Sequence, residues 1–579
     1  MKISKLFPFA CVALMMTACA SDKEEMGGGT RPGSDPQYLA VNIVNVGATP
    51  TTRATADYEN GTEAESKINK VRFYFFNGDG SPYLIKNPGI EGVTGGDPKN
   101  WLEASPADDT SNPAPSLVEK ITQTVLVING VQSAAPAAIV AVVNPGTVDA
   151  AKIQNGETMR LSELRYSTVG SQFYKKDATT GAVSDFVMSN SVYVNAGEDV
   201  CASLVAGHVT TSEETARTKP VDLYVERVVA KVTADVDKTA FKLGDGTNWE
   251  NTKYGTKDPV GQSGDYNVYA VIDGWGLANE NGKAEVEKQV KKTWTDGILG
   301  FSPWTTSDYH RCFWENSVAF DAGTGGNQPV NPTFNQLKAN IRDVLYTLPN
   351  TPGSVVTNLK DNDLTKFAVA ATLRYKDATG NWLNAEICRY NGVSILGIDN
   401  LKRQVALTFS QYYTSTDGST YNQLSKDDID FKNPDGTMQQ YRVTPTLADA
   451  PTGTTKKYYT KTTSGTTPTF TEVEKSTVLA AIEADKAEIR KDGRAYYYVP
   501  IKHLGSKDEH GESTLGEYGI VRNHFYKITL TGITGFGTPV YDPDQVVKPV
   551  VPTYENTYLA ARVQVLQWRV VNQNASLGN

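Results

Sequence analysis

The side chains most able to do chemistry are few and scattered. Five histidines, His208, His310, His503, His510 and His524, are spread over the chain. None sits in an HExxH pattern, where two imidazoles one helical turn apart bind zinc and the glutamate acts as base. The nearest approach to a ligand set is His503 with Glu509 and His510, and the Gly- and Lys-containing stretch around them reads as a polar loop. No cysteine pair has zinc-site spacing. No Gly-x-Ser-x-Gly elbow lifts a serine towards a base, and no Walker loop offers backbone amides to a phosphate. Cys201, Cys312 and Cys388 stand alone and read as buried thiols. Trp304, Trp314 and Trp382 have faces that can stack on sugars, but cores and domain interfaces use tryptophan more often. A glycosidase pair of carboxylates is defined by separation in space, which spacing along a chain does not give. The expectation is a protein without catalytic residues, metal or cofactor.

Composition narrows the class of protein. In 579 residues, 56 Lys+Arg against 65 Asp+Glu leave a net charge of -9, and nothing supplies the sustained cationic face that nucleic acid requires. Five cysteines in that length are too few for a disulfide scaffold. The 29 tyrosines, 18 phenylalanines, 49 glycines and 28 prolines favour strands joined by many turns. Runs read as strands include 68–76, 125–128, 139–143, 186–194, a long alternating span over 221–232, and then 266–272, 367–375, 405–412, 496–501 and 525–530. One helix is expected near 472–490, with Thr471 and Glu474 as a capping box and Leu479, Ile482 and Ile489 on one face. The Thr-rich block 449–470 reads as an exposed hairpin or insertion. The Pro-containing stretch 537–556 reads as a linker. These elements predict a mainly β, mostly antiparallel protein of two domains.

The N-terminus reads as an export signal. Lys2 and Lys5 precede an apolar stretch from Leu6 to Met16 that is too short to span a bilayer. Met16-Thr-Ala-Cys19 then places small residues before a cysteine, the pattern of a lipoprotein signal, with Cys19 as the lipidated residue. The acidic Ala-Ser-Asp-Lys-Glu-Glu that follows resembles the export signal of surface lipoproteins in Bacteroidetes. Residues 27–37 read as a flexible tether.

The two ends of the chain resemble each other. Leu39, Val41 and Ile43 alternate, the phase changes, and Val44 and Val46 continue. Near the C-terminus Ala561, Val563 and Val565 alternate, the phase changes, and Leu566, Trp568 and Val570 continue. Side chains alternate faces along a strand, so two strands with the same pattern and the same break suit the same groove. Between the first of them and the body stands Thr-Thr-Arg53-Ala54, a small, polar segment that a trypsin-like protease can nick. Cleavage there separates the first strand from the rest, and the C-terminal strand of another copy is the matching replacement. Head-to-tail insertion of that kind does not close on itself and yields a filament.

These features resemble the fimbrillin family of Bacteroidales, the type V pilins, and among them the shaft subunits of minor fimbriae. The blocks that carry the resemblance are Val225-Glu-Arg-Val-Val-Ala-Lys-Val232, Ala138-Ile-Val-Ala-Val-Val-Asn144, Phe186-Val-Met-Ser-Asn190, Tyr518-Gly-Ile-Val-Arg-Asn-His-Phe-Tyr-Lys-Ile528, Gly535-Phe-Gly-Thr-Pro539 and Val563-Gln-Val-Leu-Gln-Trp568. The resemblance implies two transthyretin-like antiparallel β-sandwich domains with a few short helices. It divides the chain into a signal peptide (1–18), a propeptide with tether and first strand (19–53), an N-terminal domain (54–237), a C-terminal domain (238–540), and a linker with donor strand (541–579). It implies lipidation (palmitate) at Cys19 and anchoring of the precursor in the outer membrane. It further implies maturation at Arg53–Ala54 by a trypsin-like protease, and head-to-tail self-polymerisation with accessory tip and anchor pilins in a surface fimbrium that adheres to a host or bacterial receptor. Under it Arg522-Asn523-His524, which invites a catalytic reading, is the lead-in to a strand, and Arg227 and Lys231 are solvated or paired. Two other readings stay open: a surface-anchored adhesin or glycan-binding lipoprotein, and a surface hydrolase.

Overall fold

The computed structural model describes residues 37–45, 61–86, 97–105, 107–108, 121–128, 130–131, 134–147, 151–170, 172–236, 253–257, 265–307, 310–321, 326–357, 363–434, 441–464, 466–549, 558–566 and 569–570. Strands dominate, most of them antiparallel, and the helices are short.

The first core is built around one sheet. Its main strands are β1 (Gln37–Asn45), β2 (Val71–Phe76), β3 (Ile121–Ile128), β4 (Ala138–Val143) and β5 (Met188–Asn190). After the short helix α1 (Glu213–Thr218) comes β6 (Val221–Arg227). In space they run β2-β4-β5-β6-β1-β3. All six residues of β2 are buried, as are five of the six in β4. Such continuous apolar runs belong to strands covered on both faces. The described helices include none long and apolar enough to cross a membrane.

The alternating span 221–232 forms two strands rather than the single one its pattern predicts. The Val228 amide bonds to the Val187 carbonyl within the first sheet, and the chain then crosses over and begins β7 (Ala230–Val236). Val228 and Val229 lie in the first core, Ala230 and Val232 in the second. The second core is a sandwich. One layer runs, in spatial order, β9 (Val344–Thr347), β7, β14 (His524–Thr534) and β15 (Tyr558–Leu566); the other contains β8 (Asp265–Ala278), β10 (Lys366–Lys376) and β13 (Arg494–Pro500). Between the layers pack Ala234 and Ile528 from one side, and Trp275, Val369 and Tyr497 from the other. Ala284, Val286, Leu348 and Phe525 return to the first core from farther along the chain. Three ladders are parallel, β1 with β6, β7 with β14, and the two-residue strand Arg569–Val570 with the start of β14, against the antiparallel majority.

A third core fills the segment between β10 and β13. It packs Cys388, Tyr390, Val443 and Tyr458 against α2 (Ile398–Thr408) and α3 (Lys475–Glu483). The Thr-rich block supplies its hairpin, β11 (Lys457–Ser464) with β12 (Thr467–Val473), most of whose residues are exposed. The helix expected over 472–490 is therefore shorter. Thr471 lies in β12 opposite Thr460, where ladder bonds outcompete a cap, and Glu474 caps the helix without a side-chain bond. Ile489 belongs to a strand, Ala487–Ile489, instead of the helix face.

Candidate assembly groove

β1 occupies a slot with walls on both sides. It pairs in parallel with β6, Val41 opposite Val221 through Asn45 opposite Val225, and antiparallel with β3, Gln37 opposite Ile128 through Val44 opposite Ile121. Neither ladder is interrupted by a bulge, so the backbone pairing continues unbroken through Ile43–Val44, where the sequence pattern changes phase. Leu39 and Val41 are fully buried in the first core, beside neighbours such as Leu126, Val221 and Leu223. Each such side chain stabilises its state by about 1.5–3 kcal/mol on burial. Removing β1 would strip the inner edges of β6 and β3 and open the core between them, a combination that demands another strand.

Of the other residues expected in this strand, the structure describes Ile43 and Val44 as backbone within β1, while Val46 lies outside the described residues. Cys19, Arg53, Ala54 and Trp568 also lie outside them. Ala561, Val563, Val565 and Leu566 fall in β15, and Val570 in the two-residue strand Arg569–Val570. β15 pairs antiparallel with β14, Phe525 opposite Leu566 through Thr534 opposite Tyr558, with a bulge on β14 between Leu530 and Gly532. Among the described residues it forms the edge of its sheet and has one ladder partner where β1 has two.

The residues that looked capable of chemistry are held as structure. The Arg522 Nε donates to Glu315 Oε2 at 2.8 Å, and its other nitrogens donate to the carbonyls of Val286 and Glu285. Both members of the pair are buried, so Arg522 spends its fork of donors tying the 284–286 and 315 segments to the start of β14. Asn523 turns the chain at φ 54°, a left-handed conformation that asparagine tolerates. His524 Nδ1 donates to the Arg522 carbonyl, and burial, with Arg311, His503 and Lys288 close by, holds its pKa well below 6.5. His503 bonds to the Tyr526 hydroxyl and the Phe313 carbonyl, whereas His510 is exposed beside Glu509, so these histidines form no common site. Among the described residues no group of three or more His, Cys, Asp or Glu side chains is placed to hold a metal ion.

The same junction absorbs the cations of the 221–232 span. Arg227 donates to the Glu65 carbonyl, Ser66 Oγ and Asn523 Oδ1, and Lys231 pairs with Glu65 at 2.8 Å. Both are paired and buried instead of solvated. Sequence reading missed Lys288–Glu226, an ion pair at 2.8 Å with both side chains fully enclosed, because neither residue has a distinctive neighbour in the chain. Trp304 and Trp314 pack with Trp294 inside a small core, and Trp382 lies half-buried under Lys376. Cys312 and Cys388 are buried and Cys201 is half-buried. Burial pushes the Cys312 thiol up to about 11, which keeps it protonated at neutral pH.

Residues 490–574 match the family model described as major fimbrial subunit protein type IV, fimbrillin, C-terminal. This region belongs to the fimbrillin family. The matched fimbrillin segment spans β13, β14 and β15 and thus contains both the Arg522 anchor and the C-terminal strand. No curated protein matches the chain. Among solved structures it is similar to a candidate cell-adhesion protein of Parabacteroides distasonis, at 12% identity over 95% of this chain and 99% of that one, TM-score 0.34. A similar relation holds to a candidate cell-adhesion protein of Bacteroides eggerthii, at 12% identity over 94% and 98%, TM-score 0.32. The tip fimbrial protein Mfa3 of Porphyromonas gingivalis matches at 10% identity over 92% and 100%, TM-score 0.28. The match is to the C-terminal part of a fimbrial subunit.

Proposed function

We propose that this chain is a fimbrillin shaft subunit, exported as a lipoprotein on Cys19, cleaved after Arg53 and polymerised by insertion of its C-terminal strand into the next copy. One observation carries the reading: β1, which lies upstream of Arg53, is an interior strand whose Leu39 and Val41 are fully buried between β6 and β3. A cut at Arg53 converts that strand from a tethered part of the fold into a detachable one. The sequence of β15 repeats its apolar pattern, so Val563 would take the place of Val41 and Val565 that of Ile43.

The direction of exchange follows from ladder bonding. Among the described residues of its own chain β15 has one neighbouring strand, whereas in the vacated slot of a second copy it would have two, parallel to β6 and antiparallel to β3. Main-chain bonds on both sides, added to apolar burial, favour the inserted state and make its release slow. Each insertion leaves a new slot at the far end, so growth continues until a subunit without a donor or without a free slot, a tip or an anchor pilin, stops it. Adhesion of the finished fimbrium to another surface belongs to the same reading.

The test is cleavage of the unlipidated precursor, starting at Ala20, with trypsin, followed by an unboiled SDS gel. A ladder of SDS-resistant multimers is expected after cleavage at Arg53 and not before. The same chain lacking 558–579 should be cut equally well and remain monomeric. Multimers that persist in that deletion would remove the donor-strand assignment; clean cleavage with monomer alone in the intact chain would favour a surface-anchored binding protein.

A further inference from the structure

The slot that holds β1 has a cover as well as walls. Leu39 and Val41 point into the first core, so by alternation Ala40 belongs to the opposite face of the strand. At Ala40 that face is nevertheless covered, because Ala40 has 0% exposure. Helix α1 packs on β1 and on β3. Its position follows from the chain: α1 ends at Thr218, β6 begins at Val221, and Val221 stands opposite Val41. The helix is thus delivered to the end of β1 where Ala40 lies, with its own Ala216 as the buried residue. It is held as a small unit of its own, with Ser212 Oγ accepting from the Thr215 amide, Glu213 paired with Arg217, and His208 Nδ1 bonded to the Lys219 carbonyl.

The C-terminal strand offers something different at that position. When Val563 matches Val41, the residue matched to Ala40 is Arg562. A guanidinium on a long stem does not fit a space closed over a methyl group. We propose that α1 is a further contact surface for the strand filling the slot, closed over Ala40 in the precursor and lifted by Arg562 of a second copy in the filament. This rests on the donor-strand reading above for the identity of the occupant, while the closed state of α1 rests on the geometry alone. The strap therefore reports which strand is present, and the alanine-to-arginine difference marks the change from precursor to polymer.

Amide hydrogen exchange over 212–219 tests this, with the amides of β2 (71–76) as a control for the folded core. In the uncleaved chain, Ala40→Arg should speed exchange over 212–219 at least tenfold while β2 stays protected; unchanged protection over 212–219 would overturn the proposal. If A40R also opens β2, Ala40→Leu puts a smaller load under the strap and is read in the same way. In polymers, the strap should exchange faster than in the precursor for the wild-type chain and return to precursor-like protection in Arg562→Ala. Equal protection in the two polymers would remove the role of Arg562 and leave strand exchange standing, whereas multimers formed without 558–579 would remove the occupant itself.

Discussion

The imidazole of His524 shows how the junction between cores constrains a single residue. It is fully buried, with a pKa held well below 6.5 by burial first and then by Arg311, His503 and Lys288. Unfolding restores an ordinary histidine that binds a proton below about 6.5, so the unfolded state takes up the extra proton. The stability contributed by a neutral His524 is therefore intact above that pH and is lost as the pH falls, by up to about 1.4 kcal/mol per pH unit. Urea midpoints measured between pH 7.5 and 5 should fall in the wild type. In His524→Gln the fall should be shallower by one proton's worth. An unchanged slope would assign the acid sensitivity to other groups. The neighbouring Arg522–Glu315 pair makes the same point about reading sequences. Arg-Asn-His looks like a catalytic triplet along the chain, and only the distances to Glu315 and to two backbone carbonyls, more than two hundred residues away, turn it into an anchor.

Among elements, what could be read in advance was whatever the local pattern determines. The largely apolar runs of β2 and β4 are strands because no other element buries nearly every residue of so short a run. The end-to-end likeness of β1 and β15 was legible because period-two alternation survives without tertiary information. The break at Val228–Val229 was not, since both halves of 221–232 alternate and only their different sheets separate them. The shortened α3 has the same cause: Thr471 satisfies a helix-cap pattern, but Thr460 across the hairpin claims it. The full burial of Ala40 could not be read either, because a buried alanine has no signature. β1 itself offers a direct measurement. Leu39→Ala should cost about 2–5 kcal/mol in the uncleaved chain, and that difference from wild type should vanish once residues up to 53 have been cut away and displaced. A difference that survives displacement would mean that cleavage does not release this strand.

At the scale of the whole molecule, assembly and the third core are separable. The groove lies in the first core, and the C-terminal strand is parked on β14 in the second. The third core is an excursion that leaves and returns at neighbouring points, because Cys388 pairs with Ile489 across adjacent strands. Its helices and hairpin bury their apolar faces mainly on each other, and none of its strands belongs to a sheet with β1, β3, β6 or β14. An excursion with that geometry can be shortened without pulling on either sandwich layer, since loop closure depends on the distance between its ends. Replacing 391–486 by a short Gly-Ser turn should therefore give a soluble chain whose trypsin-triggered SDS-resistant ladder matches that of the full protein, with each rung smaller by the excised mass times its number of subunits. A shortened chain that keeps the β2 exchange protection of the intact protein but no longer forms the ladder would make the third core part of the interface between subunits. Retention of the ladder would place that core on the outside of the filament, free to vary while the groove and its strand stay fixed.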